Sequence, residues 1–287
     1  MITEYRDLLN RIQSNYTKLS KGQKIIADYI FENYDKVAFM TAATLGRSVS
    51  VSESTVVRFA DALGYDGYPN LQRALQESIK TKLTTVQRFE LSKDMESEEH
   101  IIKRVMNSDI DNIRKTIDTL DARLVQDAVA DINKARKVYI IGLRSSKVLA
   151  EYLAFYLNFI LEDVHLIPYG ANDAFDQLIH LNDQDLLIAI SFPRYSQRTF
   201  EVVEYAKLKG TKILAITDSI TAPLAPFAHY TLTAKYNMTT FIDSLVAPMS
   251  LLNSLIIALS MTKKVQIKEN FDVLEKIWAE NQVYSKK

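Results

Sequence analysis

Residues 185–199 restrict the possible folds more than any other stretch. Asp185-Leu186-Leu187-Ile188-Ala189-Ile190-Ser191 opens as an unbroken apolar run of strand length. A strand with one wet face alternates apolar and polar side chains. A run without alternation belongs to a strand covered on both faces, as in a parallel sheet flanked by helices. The run passes into Phe192-Pro193-Arg194-Tyr195-Ser196-Gln197-Arg198-Thr199, a loop rich in hydroxyls and arginine. From about residue 199 to 209 apolar residues recur at helical spacing, and Gly210 ends the pattern. Strand, polar loop, helix: this order sets Ser196 and Thr199 at a helix N-terminus, where free N–H groups and the positive dipole end favour an anion such as phosphate. The plainer alternative is that the two hydroxyls only cap the helix.

The chain of 287 residues suits one large or two ordinary domains. It has no cysteine, which excludes disulfides, thiolate metal sites and cysteine nucleophiles. The most apolar long segment, 245–261, is interrupted by Pro248, Ser250, Asn253 and Ser254 and reads as a buried helix, not a membrane span. No apolar stretch follows Met1-Ile2-Thr3-Glu4-Tyr5-Arg6 as a signal peptide would require, so the expected compartment is the cytoplasm, with no membrane partner. Basic and acidic residues number 35 each. That balance neither requires nor forbids a nucleic-acid partner, and a local basic face matters more.

In residues 19–34 Ile25, Ile26, Tyr29, Ile30 and Phe31 share a helical face, with Ser20 placed as the cap. A short helix over 41–48 follows, then Val49-Ser50-Val51, then a third helix from 52 or 53 to 63, stopped by Gly64. Ser50 with Glu53 fits a capping box, and Ser52 offers its own hydroxyl instead. Two short helices joined by a tight turn after a supporting helix make the helix-turn-helix pattern. Val56, Val57, Phe59, Ala60 and Leu63 can pack, leaving Ser52, Glu53, Ser54, Thr55 and Arg58 at the opposite face and N-terminal end. Such a helix places its first turn in a major groove, with hydroxyls on phosphates and Arg58 on a base edge or phosphate. A plain three-helix unit with a solvated face is the alternative. Residues 1–80 hold ten basic and nine acidic side chains, so a single head grips DNA weakly and needs dimerisation.

Gly64-Tyr65-Asp66-Gly67-Tyr68-Pro69 is a turn leading into a helix through Leu71, Leu75 and Ile79. The polar stretch 81–99 is the expected linker, separating a domain over 1–80 from one over 100–287. Beyond it the pattern predicts helices over 100–119 and 122–134, then strands at 138–142, 164–168, 185–191, 212–217 and 230–233, with helices over 145–161, 173–181 and 199–209 between them. Strands alternating with helices make an open parallel sheet, which binds ligands beyond the carboxyl ends of its strands. Those ends are 142–146, 191–199 and 217–219. One of Ser145 and Ser146 is expected to cap its helix. Thr217, Asp218 and Ser219 suit a turn as well as a ligand contact. His100, His165, His180 and His229 show no metal-ligand spacing, and no cofactor is expected.

With these residues in place the chain resembles the MurR/RpiR family of bacterial transcription regulators. The first module matches in Ser50-Val51-Ser52-Glu53-Ser54-Thr55-Val56-Val57-Arg58-Phe59 and Ala62-Leu63-Gly64-Tyr65-Asp66-Gly67-Tyr68. The second resembles the sugar-isomerase (SIS) domain in Ile141-Gly142-Leu143-Arg144-Ser145-Ser146, Ile190-Ser191 with Ser196 and Thr199, Lys209-Gly210, Ile216-Thr217 and Pro223-Leu224-Ala225. The resemblance implies an α-helical DNA-binding domain followed by a flavodoxin-like α/β sandwich. It implies a homodimer or homotetramer that reads a roughly palindromic double-stranded DNA operator through Ser50, Ser52, Glu53, Ser54, Thr55 and Arg58. It also implies a phosphosugar effector held by Ser145, Ser146, Ser191, Arg194, Ser196 and Thr199. One departure stands out: the family loop usually runs Ser-x-Ser-Gly-x-Thr, whereas here four residues separate Ser191 from Ser196 and no glycine precedes Thr199. Either Ser196 and Thr199 still hold phosphate with Arg194 as a charged clamp, or the pocket takes another anion or is closed. Arg144 likewise stands where a second glycine would ease close approach. The rival functions are a sheet domain used only for dimerisation and a phosphosugar isomerase. The isomerase needs a positioned general base, and the strand-end loops offer only Asp218.

Overall fold

The computed structural model describes residues 8, 11–79, 85–90, 98–168, 173–236 and 242–284. The chain divides into two compact units, Met1–Asp94 and Met95–Lys287.

In the first unit, helix α1 (Lys21–Val37) starts at a reciprocal cap. The Ser20 hydroxyl accepts from the Gln23 N–H and the Gln23 side chain accepts from the Ser20 N–H. Ile26, Ala27, Ile30 and Val37 form its buried face. Helix α2 (Ala42–Ser48) is capped by Thr41, and α3 (Glu53–Ala62) by Ser52, whose hydroxyl accepts from the Thr55 N–H. Of the two capping schemes the sequence offered, Ser52 therefore prevails. Ser50 lies in the turn itself at φ +54°. That turn is tight: the Val51 N–H donates to Gly46 O at 2.8 Å, and a Cβ on Gly46 would stand 2.8 Å from Val51 O. Only glycine lets the two backbones approach so closely. Helix α4 (Gly67–Ile79) closes the core with Leu71 and Leu75 against Val56, Phe59 and Ala60 of α3.

Residues 81–84 and 91–97 of the expected linker lie outside the described residues; between them, Thr85–Glu90 forms helix α5. The second unit opens with α6 (Glu98–Thr119) and α7 (Ala122–Lys134), the latter capped by Asp121. Next come β1 (Val138–Gly142), α8 (Ser146–Ile160) and β2 (Val164–Leu166). A four-residue helix α9 (Asp173–Asp176), β3 (Leu186–Ile190), α10 (Gln197–Leu208), β4 (Lys212–Thr217) and β5 (Tyr230–Thr233) follow. The chain then forms α11 (Val246–Thr262) and α12 (Lys264–Glu280). The helix expected over 173–181 is shorter because residues 175–181 continue as successive i→i+3 turns, through Leu178 N–H to Phe175 O and Leu181 N–H to Leu178 O.

Among the described residues the five strands form one parallel sheet in the order β2-β1-β3-β4-β5. The alternate side chains of each central strand enter different cores. Val138, Ile140, Leu186, Ile188, Leu214 and Ile216 pack under α7, α8 and α11. Tyr139, Ile141, Leu187, Ala189, Ile213 and Ala215 pack under Leu178 and under Val202, Val203 and Ala206 of α10. Both faces of the sheet are covered, which is why β3 reads as a continuous apolar run. Helix α11 buries Leu251, Leu252, Leu255 and Leu259 in the first core. Among the described residues no single helix is long and apolar enough to cross a membrane.

The chain crosses from one side of β1 to the other when it passes from β2 to β3. In an open α/β sheet this switch point, between the carboxyl ends of β1 and β3, leaves a crevice for a ligand.

Candidate functional site

A cleft of about 560 Å³ opens at that switch point. Its lining comes from the loop after β1 (Leu143, Arg144), from Pro168 and Ala174, and from the loop after β3 (residues 194–198). Three arginines converge on it, Arg144, Arg194 and Arg198, and no carboxylate or imidazole is among the described lining residues. Arg198 is partly neutralised: it pairs with Glu201 at 3.0 Å and lies over the Phe175 ring at 4.9 Å. Arg144 and Arg194 are exposed. Both adopt left-handed backbone conformations, at φ +57° and +66°, a region that costs a residue with a Cβ about 1–2 kcal/mol.

Both loops are braced from behind. Gly142, the last residue of β1, lies so close to α8 that a Cβ there would meet Ser146 O at 2.6 Å and the Ala150 Cβ at 2.9 Å. On the β3 side, the Ser196 N–H donates to the Ser191 Oγ at 3.4 Å, and the Ser191 N–H to Ile216 O at 3.1 Å. The Tyr195 hydroxyl donates to Asp218 Oδ1 at 2.7 Å, joined by the Thr217 hydroxyl at 3.2 Å. Asp218 is buried at the end of β4, and burial raises its pKa against the lowering effect of these two hydrogen bonds. Burial, then the adjacent carboxylate, push the Tyr195 phenol up as well, so it remains a donor. Sequence reasoning missed this link. The only available signals were a loop tyrosine and a strand-end acid 23 positions apart.

The sequence-predicted effector residues separate into three groups. Arg194 and Ser196 line the cleft. Ser196 is the N-cap of α10, its hydroxyl accepting from the Thr199 N–H at 3.3 Å. Ser146, Ser191 and Thr199 are buried, and the Thr199 hydroxyl has no hydrogen-bond partner. Ser145 is exposed at the N-cap position of α8. The expected serine cap is absent there: Ser145 has helical angles (φ −62°, ψ −31°) and its hydroxyl makes no capping bond. The Ser146 and Lys147 N–H groups instead bond Leu143 O and Arg144 O, closing a tight turn.

In the first unit, Ser50, Ser52, Glu53, Ser54 and Arg58 are exposed and Thr55 is half-buried around the first turn of α3. The Ser52 hydroxyl lies 2.9 Å from the Ser54 hydroxyl and 2.8 Å from that of Thr55. Arg58 folds back along its helix, its Nε donating to Ser54 O at 3.2 Å and its Nη2 to the Ser54 Oγ at 3.3 Å. Gln23 braces the helix from α1 by donating to Arg58 O at 3.1 Å.

Comparison with known proteins gives this pair of units a family. The rpiR-family helix-turn-helix domain matches residues 6–82 and the SIS domain matches residues 131–258. The chain belongs to the RpiR family of transcriptional regulators. It is 28% identical over 230 residues to an uncharacterized HTH-type transcriptional regulator of Haemophilus influenzae, covering 79% of each chain. To the HTH-type transcriptional regulator HexR of Pseudomonas aeruginosa it is 26% identical over 226 residues, covering 77% of this chain and 76% of HexR. Among solved structures, the sugar isomerase domain of an RpiR transcription factor from Sphaerobacter thermophilus superposes with a TM-score of 0.59 at 24% identity, over 60% of this chain and 97% of that one. NanR of Vibrio vulnificus aligns over 94% of this chain and 98% of its own, with a TM-score of 0.56 at 22% identity. This RpiR chain is thus a transcription regulator with a helix-turn-helix and a SIS domain, as its relatives are named.

Proposed function

We propose that this RpiR regulator binds a phosphorylated sugar in the cleft between the β1 and β3 loops, and that occupancy alters the affinity of its α3 helices for an operator. The observation that carries the reading is the conjunction at the switch point. The Ser196-capped N-terminus of α10 and the guanidinium groups of Arg144 and Arg194 face one cleft of about 560 Å³, a volume suited to a small ligand. Helix N-termini and arginine forks both favour phosphate. The structure of Vibrio vulnificus NanR, of the same fold, is of a complex with ManNAc-6P. The absence of a carboxylate or imidazole among the described lining residues argues against isomerisation, which needs a general base at the substrate.

On the DNA side, Ser52, Ser54 and Thr55 are suited to phosphates and Arg58 to a base edge. The near-neutral charge of residues 1–80 supports a dimeric reader, whose two-fold symmetry calls for a roughly palindromic operator. A second copy has a surface available. Tyr156 of α8, Ile257 of α11 and Phe271 of α12 are exposed around an apolar groove of about 430 Å³. A linker within residues 81–99 and a cytoplasmic protein, where an operator and a sugar phosphate would both be met, complete this reading.

Thermal unfolding of the full chain against a panel of hexose and N-acetylhexosamine 6-phosphates, with their unphosphorylated parents, tests the effector reading. A ligand that binds only the folded protein raises the midpoint, by the equivalent of about 2.7 kcal/mol at a hundred times its Kd. A rise with one phosphate ester and none with its parent is the expected result. No rise with any of them refutes the phosphosugar reading and leaves the DNA-binding one standing.

A further inference from the structure

Three contacts made by the short segment 234–236, which follows β5, tie the effector loop to the helix through which the chain enters the second unit. The Ala234 N–H donates to Thr217 O at 2.9 Å, beside the Asp218 carboxylate that anchors Tyr195. The Lys235 N–H donates to the Thr116 Oγ1 of α6 at 2.8 Å. The Tyr236 ring stacks on Phe192, the second residue of the loop after β3, with centroids 5.3 Å apart and planes 21° from parallel. Thr116 is almost fully buried, and its hydroxyl is committed on both sides: it donates to Asn112 O at 2.7 Å while accepting from Lys235. A second tether, from the Ser244 hydroxyl to Asp109, holds α6 about two turns earlier.

We infer that Tyr236 and Thr116 are the residues through which the occupied effector loop acts on α6. The inference rests on the effector reading above and adds its regulation. Phe192 lies two residues before Arg194 and four before Ser196, so an anion that draws those side chains together shifts the ring on which Tyr236 stacks. Tyr236 is covalently next to Lys235, whose N–H is fixed to α6. The movement thus arrives near the C-terminal end of α6, the helix with which the described part of the second unit begins. Coupling of this kind requires an element whose equilibrium both ligands bias, and contiguous contacts are one way to supply it.

The test uses the full chain and the DNA fragment that the wild type selects from a random pool. Tyr236→Leu removes the ring, Tyr236→Phe keeps it, and Thr116→Val keeps the shape while leaving the Lys235 N–H unpaired. Tyr236→Leu and Thr116→Val are expected to bind the stabilising sugar phosphate, and to bind DNA without it, within about twofold of wild type. The effect of that sugar phosphate on DNA affinity is expected to fall at least about fivefold in both and to be restored in Tyr236→Phe. A full response in Tyr236→Leu overturns the inference, as does loss of sugar-phosphate binding in it. Amide exchange of the ligand-free protein supplies an arm independent of the effector. Thr116→Val is expected to speed exchange about threefold or more at residues 194–199, and unchanged exchange there overturns the coupling. If no sugar phosphate stabilises the wild type, the effector reading fails, and exchange alone decides whether α6 and the loop are coupled.

Discussion

Replacing Arg194 by glycine and, separately, by alanine divides what this residue costs the fold from what it gives the site. At φ +66° the arginine occupies a region open to glycine and strained for any residue with a Cβ. The strain amounts to about 1–2 kcal/mol. Glycine relieves it but adds about 0.4–1 kcal/mol of conformational entropy to the unfolded chain. Alanine keeps the strain and, like glycine, removes whatever the guanidinium contacts. Arg194→Gly should therefore be more stable than Arg194→Ala by about 0.5–1 kcal/mol. In a unit bounded by Met95 and Lys287, that is a rise in Tm of about 1–4 °C. Binding should move the other way. Each variant loses a charge-assisted hydrogen bond of about 1.5–3 kcal/mol to the phosphate, weakening affinity by roughly 10- to 150-fold. Scanning calorimetry and titration calorimetry on the same three proteins give both quantities. If the glycine variant is no more stable than the alanine variant, the left-handed strain at this position is refuted. Unchanged affinity in both removes Arg194 from the effector site.

Two further outcomes follow from the geometry. Arg58→Ala should lower discrimination between the selected operator and single-base variants of it by about 1–3 kcal/mol if the guanidinium reaches a base edge, measured by competition binding; unchanged affinity and sequence preference would eliminate Arg58 as a reader. Because burial raises the Asp218 pKa, the folded state holds this proton more tightly than the unfolded state does. The associated stability is therefore present at low pH and lost as pH rises through the raised folded value. Asp218→Asn can still accept from Tyr195 and does not titrate, so its stability relative to wild type should improve between about pH 4 and pH 7 in denaturant titrations. A difference that is flat with pH contradicts the buried-charge account.

The parts of the chain legible from sequence are those decided by neighbours within one turn or one strand. Residues 186–190 read as a strand covered on both faces because every position enters a core. Ser20, Ser52 and Ser196 announce helix starts because an N-cap oxygen needs only the N–H three residues on. Ser145 broke that rule because its backbone is already helical, which leaves the amides after it to the turn carbonyls. Contacts between distant segments left no such trace. Tyr195 with Asp218, Phe192 with Tyr236, and Thr116 with Lys235 are set by where the strands end, and no periodicity marks them. The missing loop glycine was visible, but its consequence was not. Closure of the pocket was one reading of it; the loop instead keeps an open cleft with an arginine in the left-handed conformation.

That both cleft loops carry this feature bears on how the site works. A strained conformation persists only where the surrounding structure over-determines it. Behind Arg144, α8 lies against the bare Cα of Gly142, and the Ser146 and Lys147 N–H groups close the turn on Leu143 O and Arg144 O. Behind Arg194 the constraint is polar, a Tyr195 hydroxyl and a Ser196 N–H fastened to side chains at the ends of β4 and β3. A left-handed residue turns its Cβ to the opposite side from the one an ordinary loop would choose. In both loops the turn therefore commits a long cation at a point where a glycine would have left none. The strain falls on two exposed arginines that line the crevice, and under the effector reading proposed above theirs is the charge that would meet a phosphate.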